Sequence, residues 1–166
     1  MTFNFRNCFP AGILLLDLRT VLFMDVSNYN IVIADDDADD HFFLEEAMRS
    51  AGIRSNLISV YNGSQLLDLL FTRGNYANQS FKKPDLVLLD LNMPVLDGFT
   101  ALQQIKRDSY LKNIPVYIFT TSRREADRKM CINLGADDFY SKPSEFTVLQ
   151  KVVQEMMTKA FNGTKS

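Results

Sequence analysis

The segment NIVIADDDADDHFFLEEAM, residues 30–48, decides the fold prediction, because five aspartates separate two apolar patterns of different period. Before them, residues 31–35 form a short apolar run, which is typical of a strand buried on both faces. After them, the apolar residues of 38–51 recur at helical spacing, and Gly52 suits the end of that helix. The segment therefore predicts a strand that leads through an acidic turn into a helix.

The same alternation of strand and helix continues along the chain and predicts five βα units. Such alternation with short strands is typical of a parallel sheet that is covered by helices on both faces and joined by right-handed crossovers. The predicted fold class is therefore a doubly wound α/β domain. The predicted strands are residues 31–35, 56–61, 85–90, 114–121 and 138–142, and the predicted helices are residues 38–51, 64–73, 99–108, 124–136 and 144–161.

Composition narrows the class of protein further. A chain of 166 residues favours one domain with a substantial core. The net charge is -2 and the basic residues are scattered, so no electrostatic feature favours nucleic acid as a partner. Cys8 and Cys131 are far apart, which disfavours a disulfide framework or zinc site and favours free thiols in the cytoplasm. The single histidine, His41, is predicted to lie on a helix surface.

The first 28 residues require a separate interpretation. Residues 1–28 are predicted to be an extension outside the fold, the domain to span 29–162, and 163–166 to be a short tail. The stretch FPAGILLLDLRTVLF at 9–23 resembles a signal-peptide core, but an acidic and a basic residue interrupt it and no cleavage site follows. It is also too short and too charged to span a membrane. The alternative is an accessory amphipathic helix that docks on the domain or dimerises.

Polar side chains stand at the predicted carboxyl ends of four strands. The first strand ends in Asp35 and Asp36, the third in Asp90, the fourth in Thr120 and the fifth in Lys142. Ligands of open α/β sheets bind beyond these ends, near the point where the strand order reverses. We therefore expect these side chains to converge on one edge of the sheet.

The residue types at this edge indicate a metal-assisted reaction. Carboxylates held close together repel one another, and a divalent cation relieves that repulsion. Oxygen ligands without Cys or His favour Mg²⁺, with Mn²⁺ as the alternative. Mg²⁺ together with an ammonium group suits phosphoryl transfer, in which charge stabilisation supplies most of the catalysis. Asp90 is the natural nucleophile, because it stands alone at the end of a central strand.

Four motifs together resemble the response-regulator receiver domain, the CheY-like module of two-component signalling. They are IVIADDD at 31–37, PDLVLLDLNMPVLDG at 84–98, PVYIFTTS at 115–122 and GADDFYSKP at 135–143, and the resemblance covers about residues 30–161. It implies a flavodoxin-like sheet with strand order 2-1-3-4-5. The polar loop RGNYANQSFKKP and the TTS motif resemble the single-domain regulators that partner phytochrome-type sensor kinases.

The resemblance implies a role for each matching residue of the acceptor site. Asp90 would accept a phosphoryl group from a phosphohistidine on a partner. Asp36 would bind Mg²⁺ directly, and Asp35 would help through water or as a second ligand. Asn92 would offer its backbone carbonyl to the metal, and Lys142 would pair with a phosphoryl oxygen.

The resemblance also implies a switch and a shaped loop. Thr120 would hydrogen-bond a phosphoryl oxygen and report phosphorylation by moving. Phe139 takes the place of the family's switch aromatic, often Tyr, so any signal from it must come from ring packing. The peptide bond before Pro143 is expected to be cis, a minority state for X-Pro bonds. Pro94 and Gly98 are expected to shape the loop after the acceptor.

The five aspartates of the opening segment divide by position. Asp35 and Asp36 end the strand and build the metal site. Asp37 falls at the N-cap, where its side chain can accept a hydrogen bond from the backbone N–H of Asp39 or Asp40. Asp39 and Asp40 fall in the first helical turn, where negative charge suits the helix dipole. We expect Asp36→Asn to cost Mg²⁺ binding and phosphorylation, and Asp39→Asn to cost a little stability and no chemistry.

The favoured function is a stand-alone response regulator that takes its phosphoryl group from a histidine kinase or a histidine phosphotransfer protein. It would signal by protein–protein contact or by relay, with no nucleic-acid or membrane partner. Homodimerisation is left open, and the downstream target is not indicated. Beyond its own phosphotransfer and autodephosphorylation, the protein is predicted not to be an enzyme.

Two alternatives belong to other functional classes. A phosphohydrolase of the haloacid-dehalogenase type needs an aspartate two residues after the nucleophile, where this chain has Asn92. A receiver used only as a phosphorylation-independent scaffold would not need Asp36, Asp90, Thr120 and Lys142 together. Both alternatives are therefore disfavoured by the residues present.

Overall fold

A computed structural model describes residues 25–77 and 82–162 of the chain. Five strands alternate with five helices along these residues, and a short 3₁₀ turn, Gly74–Tyr76, follows the second helix. This order confirms the predicted βα units. The strands are β1 Asp25–Ala34, β2 Arg54–Val60, β3 Leu86–Leu89, β4 Val116–Thr120 and β5 Asp138–Ser141, and the helices are α1 Ala38–Ser50, α2 Gly63–Leu70, α3 Gly98–Arg107, α4 Glu125–Asn133 and α5 Phe146–Asn162.

The strands form one parallel sheet in the order β2-β1-β3-β4-β5, which confirms the predicted flavodoxin-like order. In register, Ala34 of β1 lies between Val60 of β2 and Leu89 of β3, and Leu89 is aligned with Ile118 of β4. The carboxyl ends of the strands therefore lie side by side at one edge of the sheet. The strand order reverses between β1 and β3, so a binding site is expected beyond these two strands.

Both faces of the sheet are buried, and side chains alternate between them along each strand. On β1, Val32 and Ala34 join an apolar cluster that contains residues of α2, α3 and α4. Ile31 and Ile33 join a second cluster, which contains residues of α1 and α5. Each fully buried aliphatic side chain stabilises the fold by roughly 1.5–3 kcal/mol. This double burial makes the sheet a rigid base for the residues that follow its strands.

Several element ends differ from the predicted ones, and two of these differences have local reasons. β4 begins at Val116, after Pro115 rather than before it, because proline has no N–H to donate to the sheet. α4 ends at Asn133 although the sequence predicted helix to residue 136. Gly135 has a φ of 99°, a left-handed conformation that takes the chain out of the helix.

β1 begins at Asp25, earlier than the predicted start at residue 31. Its first residue pairs with Arg54 of β2, so the predicted domain boundary between residues 28 and 29 falls inside this strand. Residues 1–24 lie outside the described residues, and so both interpretations of the extension stay predictions.

At the other end of the described residues, α5 extends to Asn162, and the limit of the domain at residue 162 stays a prediction. The predicted tail, 163–166, lies outside the described residues. Among the helices that the structure describes, none is long and apolar enough to cross a membrane.

Candidate functional site

Backbone hydrogen bonds beyond the strand ends fix the residues that follow the strands. The N–H of Asp35 donates to the last residue of β2 at 3.1 Å, and the N–H of Asp90 donates to the last residue of β1 at 2.9 Å. After β5, the N–H of Lys142 donates to the carbonyl of Thr120 at 2.7 Å. The sheet therefore holds all four residues in fixed relative positions at one edge.

Three carboxylates meet beyond β1 and β3. One carboxylate oxygen from each of Asp35, Asp36 and Asp90 lies within 4.8 Å of the other two. Asp35 and Asp90 are buried, whereas Asp36 is exposed. The structure thus brings together the three side chains that the sequence assigned to a metal site, with one of them open to solvent.

Asp90 has one satisfied and one unsatisfied oxygen. Its Oδ2 accepts a hydrogen bond from the N–H of Asn92 at 2.8 Å. Its Oδ1 is buried and accepts no hydrogen bond from the described residues, and Lys142 Nζ lies 3.7 Å from it. A buried carboxylate oxygen without a hydrogen bond is costly. An oxygen-only donor set with one such atom suits a divalent cation such as Mg²⁺ or Mn²⁺.

The ammonium group of Lys142 is shared among three carboxylates. It lies 2.5 Å from Asp35, 2.6 Å from Asp40 and 3.7 Å from Asp90. Its side chain is only 9% exposed. Burial alone would lower the pKa of Lys142, but the hydrogen bonds to Asp35 and Asp40 outweigh burial and raise that pKa above its ordinary value. Lys142 is therefore a fixed positive charge beside the acidic cluster.

One ammonium group does not balance the clustered carboxylates. Burial raises the pKa of Asp35 above its ordinary value, although the nearby Lys142 and a hydrogen bond from the N–H of Asp37 oppose that rise. The charge of Asp90 raises the pKa of Asp35 further. Positive charge is therefore still lacking between Asp35 and Asp90, and a bound divalent cation would supply it.

Asp40, which the sequence assigned only to the helix start, belongs to the charged network. It lies in the first turn of α1 and its Oδ2 accepts a hydrogen bond from Lys142 at 2.6 Å. Side chains on a helix tilt toward its N-terminus. Because α1 begins at the edge of the sheet, this tilt directs a first-turn side chain at the site. That rule is the sequence signal that could have identified Asp40.

The prediction that His41 lies on the helix surface is wrong. The side chain is buried, and its Nε2 lies 2.9 Å from the backbone carbonyl oxygen of Asp35. Its ring also lies against the ring of Tyr61, with the centroids 4.8 Å apart. The hydrogen bond to Asp35 gives the imidazole a polar partner inside the protein, which offsets the cost of its burial. His41 thus braces the backbone of a cluster residue.

The end of β4 is linked to α4 by side chains. Thr120 is fully buried, and its Oγ1 accepts a hydrogen bond from the N–H of Ser122 at 3.3 Å. The hydroxyl of Ser122 donates to Asp127 at 2.5 Å, and Arg124 donates to the same carboxylate at 2.7 Å. Thr120 is therefore connected to the first turn of α4 through Ser122 and Asp127. A displacement of Thr120 would alter the hydrogen bonds of that turn.

The loop after β3 folds back tightly on the acceptor. A Cβ built on Gly98 would lie 2.1 Å from the backbone oxygen of Asp90, so no other residue fits there without a shift. The N–H of Leu96 donates to the carbonyl of Pro94 at 2.7 Å, across Val95 with a φ of 67°. This hydrogen bond closes a γ-turn, an uncommon and strained geometry. Gly98 and the turn at Pro94 together set the path of the loop.

Phe139 packs inward from β5 toward α4. Its ring is buried, and the guanidinium carbon of Arg128 lies 5.7 Å from the ring centroid. Arg128 also donates a hydrogen bond to the backbone oxygen of Phe139 at 2.9 Å. The structure thus places the aromatic ring under α4, and its role as a switch stays a prediction.

No peptide bond among the described residues is cis, so the bond between Lys142 and Pro143 is trans. The prediction of a cis bond is therefore wrong. The trans form of an X-Pro bond is the more stable isomer by about 0.5–1 kcal/mol. In this structure Lys142 reaches the carboxylates with the preceding strand and the trans bond as they stand, so the site forms without the rarer isomer.

The parallel sheet and the acidic edge together define a class of signalling protein. The model of the response regulator receiver domain family matches residues 31–154. The chain belongs to that family, whose members are phosphoacceptor modules of two-component systems. The protein is thus a response regulator that works as a signalling module.

Particular relatives agree with this assignment. Response regulator Rcp1 of Synechocystis sp. is 33% identical over 124 residues, which is 75% of this chain and 83% of Rcp1. The solved structure of the phosphorylated cyanobacterial phytochrome response regulator RcpA matches with a TM-score of 0.76 and 29% identity, covering 82% of this chain and 96% of RcpA. The Mn²⁺-bound form of Rcp1 matches with a TM-score of 0.72 and 30% identity, covering 83% and 96%.

Some relatives are much longer than this chain. The sensory transduction protein BceR of Halalkalibacterium halodurans is 37% identical over 82 residues, and the match covers 34% of BceR. The receiver domain therefore also occurs as one part of larger regulators.

Proposed function

We propose that the protein accepts a phosphoryl group on Asp90 from a phosphohistidine of a sensor kinase or a histidine phosphotransfer protein. The observation that carries this proposal is the buried Oδ1 of Asp90, which accepts no hydrogen bond from the described residues. Its lone pairs are free for attack on phosphorus. A new P–O bond would form while the P–N bond of the phosphohistidine breaks, and the imidazole would leave with that electron pair. The product is an acyl phosphate on Asp90.

The carboxylates of Asp35, Asp36 and Asp90, with the backbone carbonyl of Asn92, are the proposed ligands of Mg²⁺, with Mn²⁺ as the alternative. The short spacing of the three carboxylates supports this assignment. A related regulator, Rcp1, has been solved with Mn²⁺ bound. The metal would neutralise charge on the transferring phosphoryl oxygens. Asp36 is exposed, so its carboxylate would be the first to meet the ion from solvent.

Lys142 and Thr120 are the proposed partners of the phosphoryl oxygens. Lys142 Nζ already lies 3.7 Å from the attacking oxygen of Asp90. Thr120 ends β4, the strand next to β3, and its hydroxyl is buried at the same edge of the sheet. Both groups are shielded from water, where their interactions with a developing charge are strongest. They would stabilise the transferring group without taking part in bond making.

The proposed signal begins when the hydroxyl of Thr120 turns from the N–H of Ser122 to a phosphoryl oxygen. Ser122 is tied to Asp127 at the start of α4, so the turn would alter the hydrogen bonds of that helix. Phe139, packed under α4, would then change its ring position. The altered surface would bind a downstream protein, pass the phosphoryl group on in a relay, or form a homodimer.

The remaining proposals concern how the signal ends and where in the cell the protein is located. Autodephosphorylation would return Asp90 to its free form: water would attack phosphorus, the P–O bond to the Asp90 carboxylate would break, and inorganic phosphate would leave. The proposed compartment is the cytoplasm, because the two cysteines of the chain, Cys8 and Cys131, are far apart in sequence and favour free thiols. Among the described residues, the buried thiol of Cys131 has no disulfide partner. Asn92 stands where an aspartyl phosphohydrolase needs a general acid, so turnover of many substrates is not proposed.

The test is incubation with Mg²⁺ and acetyl phosphate, followed by measurement of the intact mass. The proposal predicts one phosphate adduct on the wild-type protein and none on Asp90→Asn. Asp36→Asn should show little adduct at the same Mg²⁺ concentration, while the matched variant Asp39→Asn should be labelled like the wild type.

Other results would favour the other two functions. Rapid multiple turnover of phosphomonoesters would indicate a hydrolase. A folded wild-type protein that neither binds Mg²⁺ nor takes up phosphate would indicate a scaffold, and the proposed role of Asp90 would be wrong.

A further inference from the structure

Lys142 has two close carboxylate partners, and only one of them belongs to the acidic cluster. Its Nζ lies 2.5 Å from Asp35 and 2.6 Å from Asp40, but 3.7 Å from Asp90. Among the described residues, the group with metal-ligand spacing is Asp35, Asp36 and Asp90, without Asp40. Asp40 therefore binds the ammonium group without being placed to bind the cation.

The contact between Asp40 and Lys142 lies at the wall of a cavity. The cavity has a volume of about 110 Å³, lies between α1 and the start of α5, and is lined in part by Asp40, Lys142, Phe43 and Pro143. The side chain of Asp40 is 35% exposed, whereas that of Lys142 is 9% exposed. Asp40 can therefore separate from Lys142 without displacing the close-packed core.

Asp40 and a phosphoryl group on Asp90 would compete for the position of the same ammonium group. An ammonium group has three N–H donors, and Asp35 and Asp40 take two of them. The present position of Nζ is beyond hydrogen-bond distance of Asp90 Oδ1. Because Asp40 lies on α1 and Asp90 follows β3, movement of the ammonium group toward a phosphoryl oxygen on Asp90 would lengthen its contact with Asp40.

We propose that Asp40 is a positioning residue that holds Lys142 toward α1 while Asp90 is unmodified, and that it thereby weakens the binding of a phosphoryl group. This inference rests on the proposed function of Asp90 and Lys142. The pair is partly exposed, and pairs of this kind contribute modest coupling, so its removal should tighten phosphoryl binding about fivefold. Asp40 thus favours the unphosphorylated state and sets how much phosphodonor is needed to activate the protein.

Beryllofluoride with saturating Mg²⁺ is the probe for the test, because it mimics a phosphoryl group on a carboxylate and is not hydrolysed. Its dissociation constant would be measured by calorimetry for wild type, Asp40→Asn, Asp40→Glu and Asp39→Asn. Asp39 is the matched control, since it is exposed, adjoins Asp40 and has no ion pair among the described residues. An ionic strength of about 0.15 M screens exposed charges more than about 8 Å apart.

The dissociation constants distinguish the effect of the Asp40–Lys142 ion pair from a general effect of removing negative charge. Asp40→Asn should bind beryllofluoride about fivefold more tightly than wild type. Asp39→Asn should bind like wild type, and Asp40→Glu, which keeps the carboxylate, should return toward the wild-type value. A variant that only loosened the fold would not bind more tightly.

A second readout uses the metal-free protein. The Lys142 ammonium signal in a proton–nitrogen NMR spectrum would be identified by its loss in Lys142→Arg. Its protons should exchange with solvent faster in Asp40→Asn than in Asp39→Asn, because only the former replaces the charged acceptor of the Lys142 ammonium group with a weaker, neutral amide oxygen. Equal exchange in the two variants would overturn the proposed pairing.

Two failures can be distinguished. If wild type binds beryllofluoride and Asp40→Asn binds no more tightly than Asp39→Asn, the positioning role is wrong while the acceptor site stands. If neither wild type nor Asp40→Asn binds beryllofluoride and acetyl phosphate leaves no adduct, the proposed function fails and this inference fails with it.

Discussion

At Gly98 the backbone leaves no room for a side chain. A Cβ there would lie 2.1 Å from the oxygen of Asp90 and 2.8 Å from the Cα of Leu91. Both neighbours are backbone atoms of the acceptor segment, which the sheet holds in place. Relief of the contact must therefore move either the start of α3 or the acceptor itself.

Gly98→Ala should lower the free energy of unfolding by about 3 kcal/mol, near the upper end of overpacking costs. The molecules that remain folded should also take up less phosphate than wild type, because their Asp90 is displaced. Urea unfolding and the intact-mass assay with acetyl phosphate would measure the two effects. Gln104→Ala, at an exposed position of the same helix, is the control and should change both by little. If Gly98→Ala were as stable as wild type, the loop would not be packed as tightly against Asp90 as the structure indicates.

The predictability of single residues depended on whether their partners are local. Asp37 was predicted as the N-cap of α1, and its side chain accepts a hydrogen bond from the N–H of Asp39, which confirms the prediction. That partner is two residues away and follows from sequence position alone. Asp40 finds its partner through the fold, because Lys142 is 102 residues away. The position of Asp40 in the first helical turn could indicate that it faces the site, but not that its partner is Lys142.

At the scale of elements, β5 and α5 are joined by a charged pair. Lys159 donates a hydrogen bond to Asp138 at 2.6 Å. Burial alone would raise the pKa of Asp138, but hydrogen bonds from Lys159, Tyr140 and the N–H of Phe139 outweigh it and lower that pKa below its ordinary value. Because the pKa of Asp138 is lowered, the folded protein binds a proton at this carboxylate less tightly than the unfolded chain does. The pair thus stabilises the fold above the unfolded-state pKa, and this stabilisation is lost as pH falls through the folded-state pKa.

Asp138→Asn should therefore destabilise the protein by about 1 kcal/mol at neutral pH, the size of a partly exposed charge-assisted hydrogen bond. The difference from wild type should shrink as the pH falls through the acid range. Lys159→Gln should behave in the same way, while Lys151→Gln, at an exposed position on the same helix, should not. Chemical unfolding at a series of pH values would measure this. A difference that stays constant with pH would mean that the pair does not couple to folding.

The order of the elements was predictable because it depends on patterns that single strands and helices carry in their own sequence. The apolar runs at 31–35 and 85–90 are continuous since both faces of their strands are buried, and they predicted a parallel sheet. The ends of elements were less predictable. The start of β1 at Asp25 depends on pairing with Arg54, which is a contact between distant parts of the chain.

At the scale of the whole molecule, the sheet places like charges together at one edge. Asp35 and Asp90 are brought side by side only when β1 and β3 pair, so their repulsion arises on folding. The strand-end rule predicted this convergence from sequence. It could not predict how Lys142 divides its hydrogen bonds, because that depends on side-chain positions in three separate elements.

Metal binding should therefore stabilise the entire fold, since the proposed site exists only in the folded state. A ligand that binds only the native state adds about 2.7 kcal/mol at a concentration one hundred times its dissociation constant. For a domain of this size, that corresponds to a rise in Tm of roughly 5–10 °C. Thermal unfolding of the wild-type protein with and without Mg²⁺ would measure the rise, with no phosphodonor present.

Two variants with the same change in charge show whether the effect belongs to the site. Asp36→Asn removes a proposed ligand and should abolish most of the Mg²⁺-dependent rise in Tm. Asp39→Asn removes an equal charge three residues away and should keep the rise. Equal loss in both variants would mean that Mg²⁺ acts on the general acidity of this edge. Loss of the Mg²⁺-dependent rise in Tm in Asp36→Asn alone would mean that the fold forms a specific cation site. The metal binds there because it relieves the repulsion between Asp35 and Asp90.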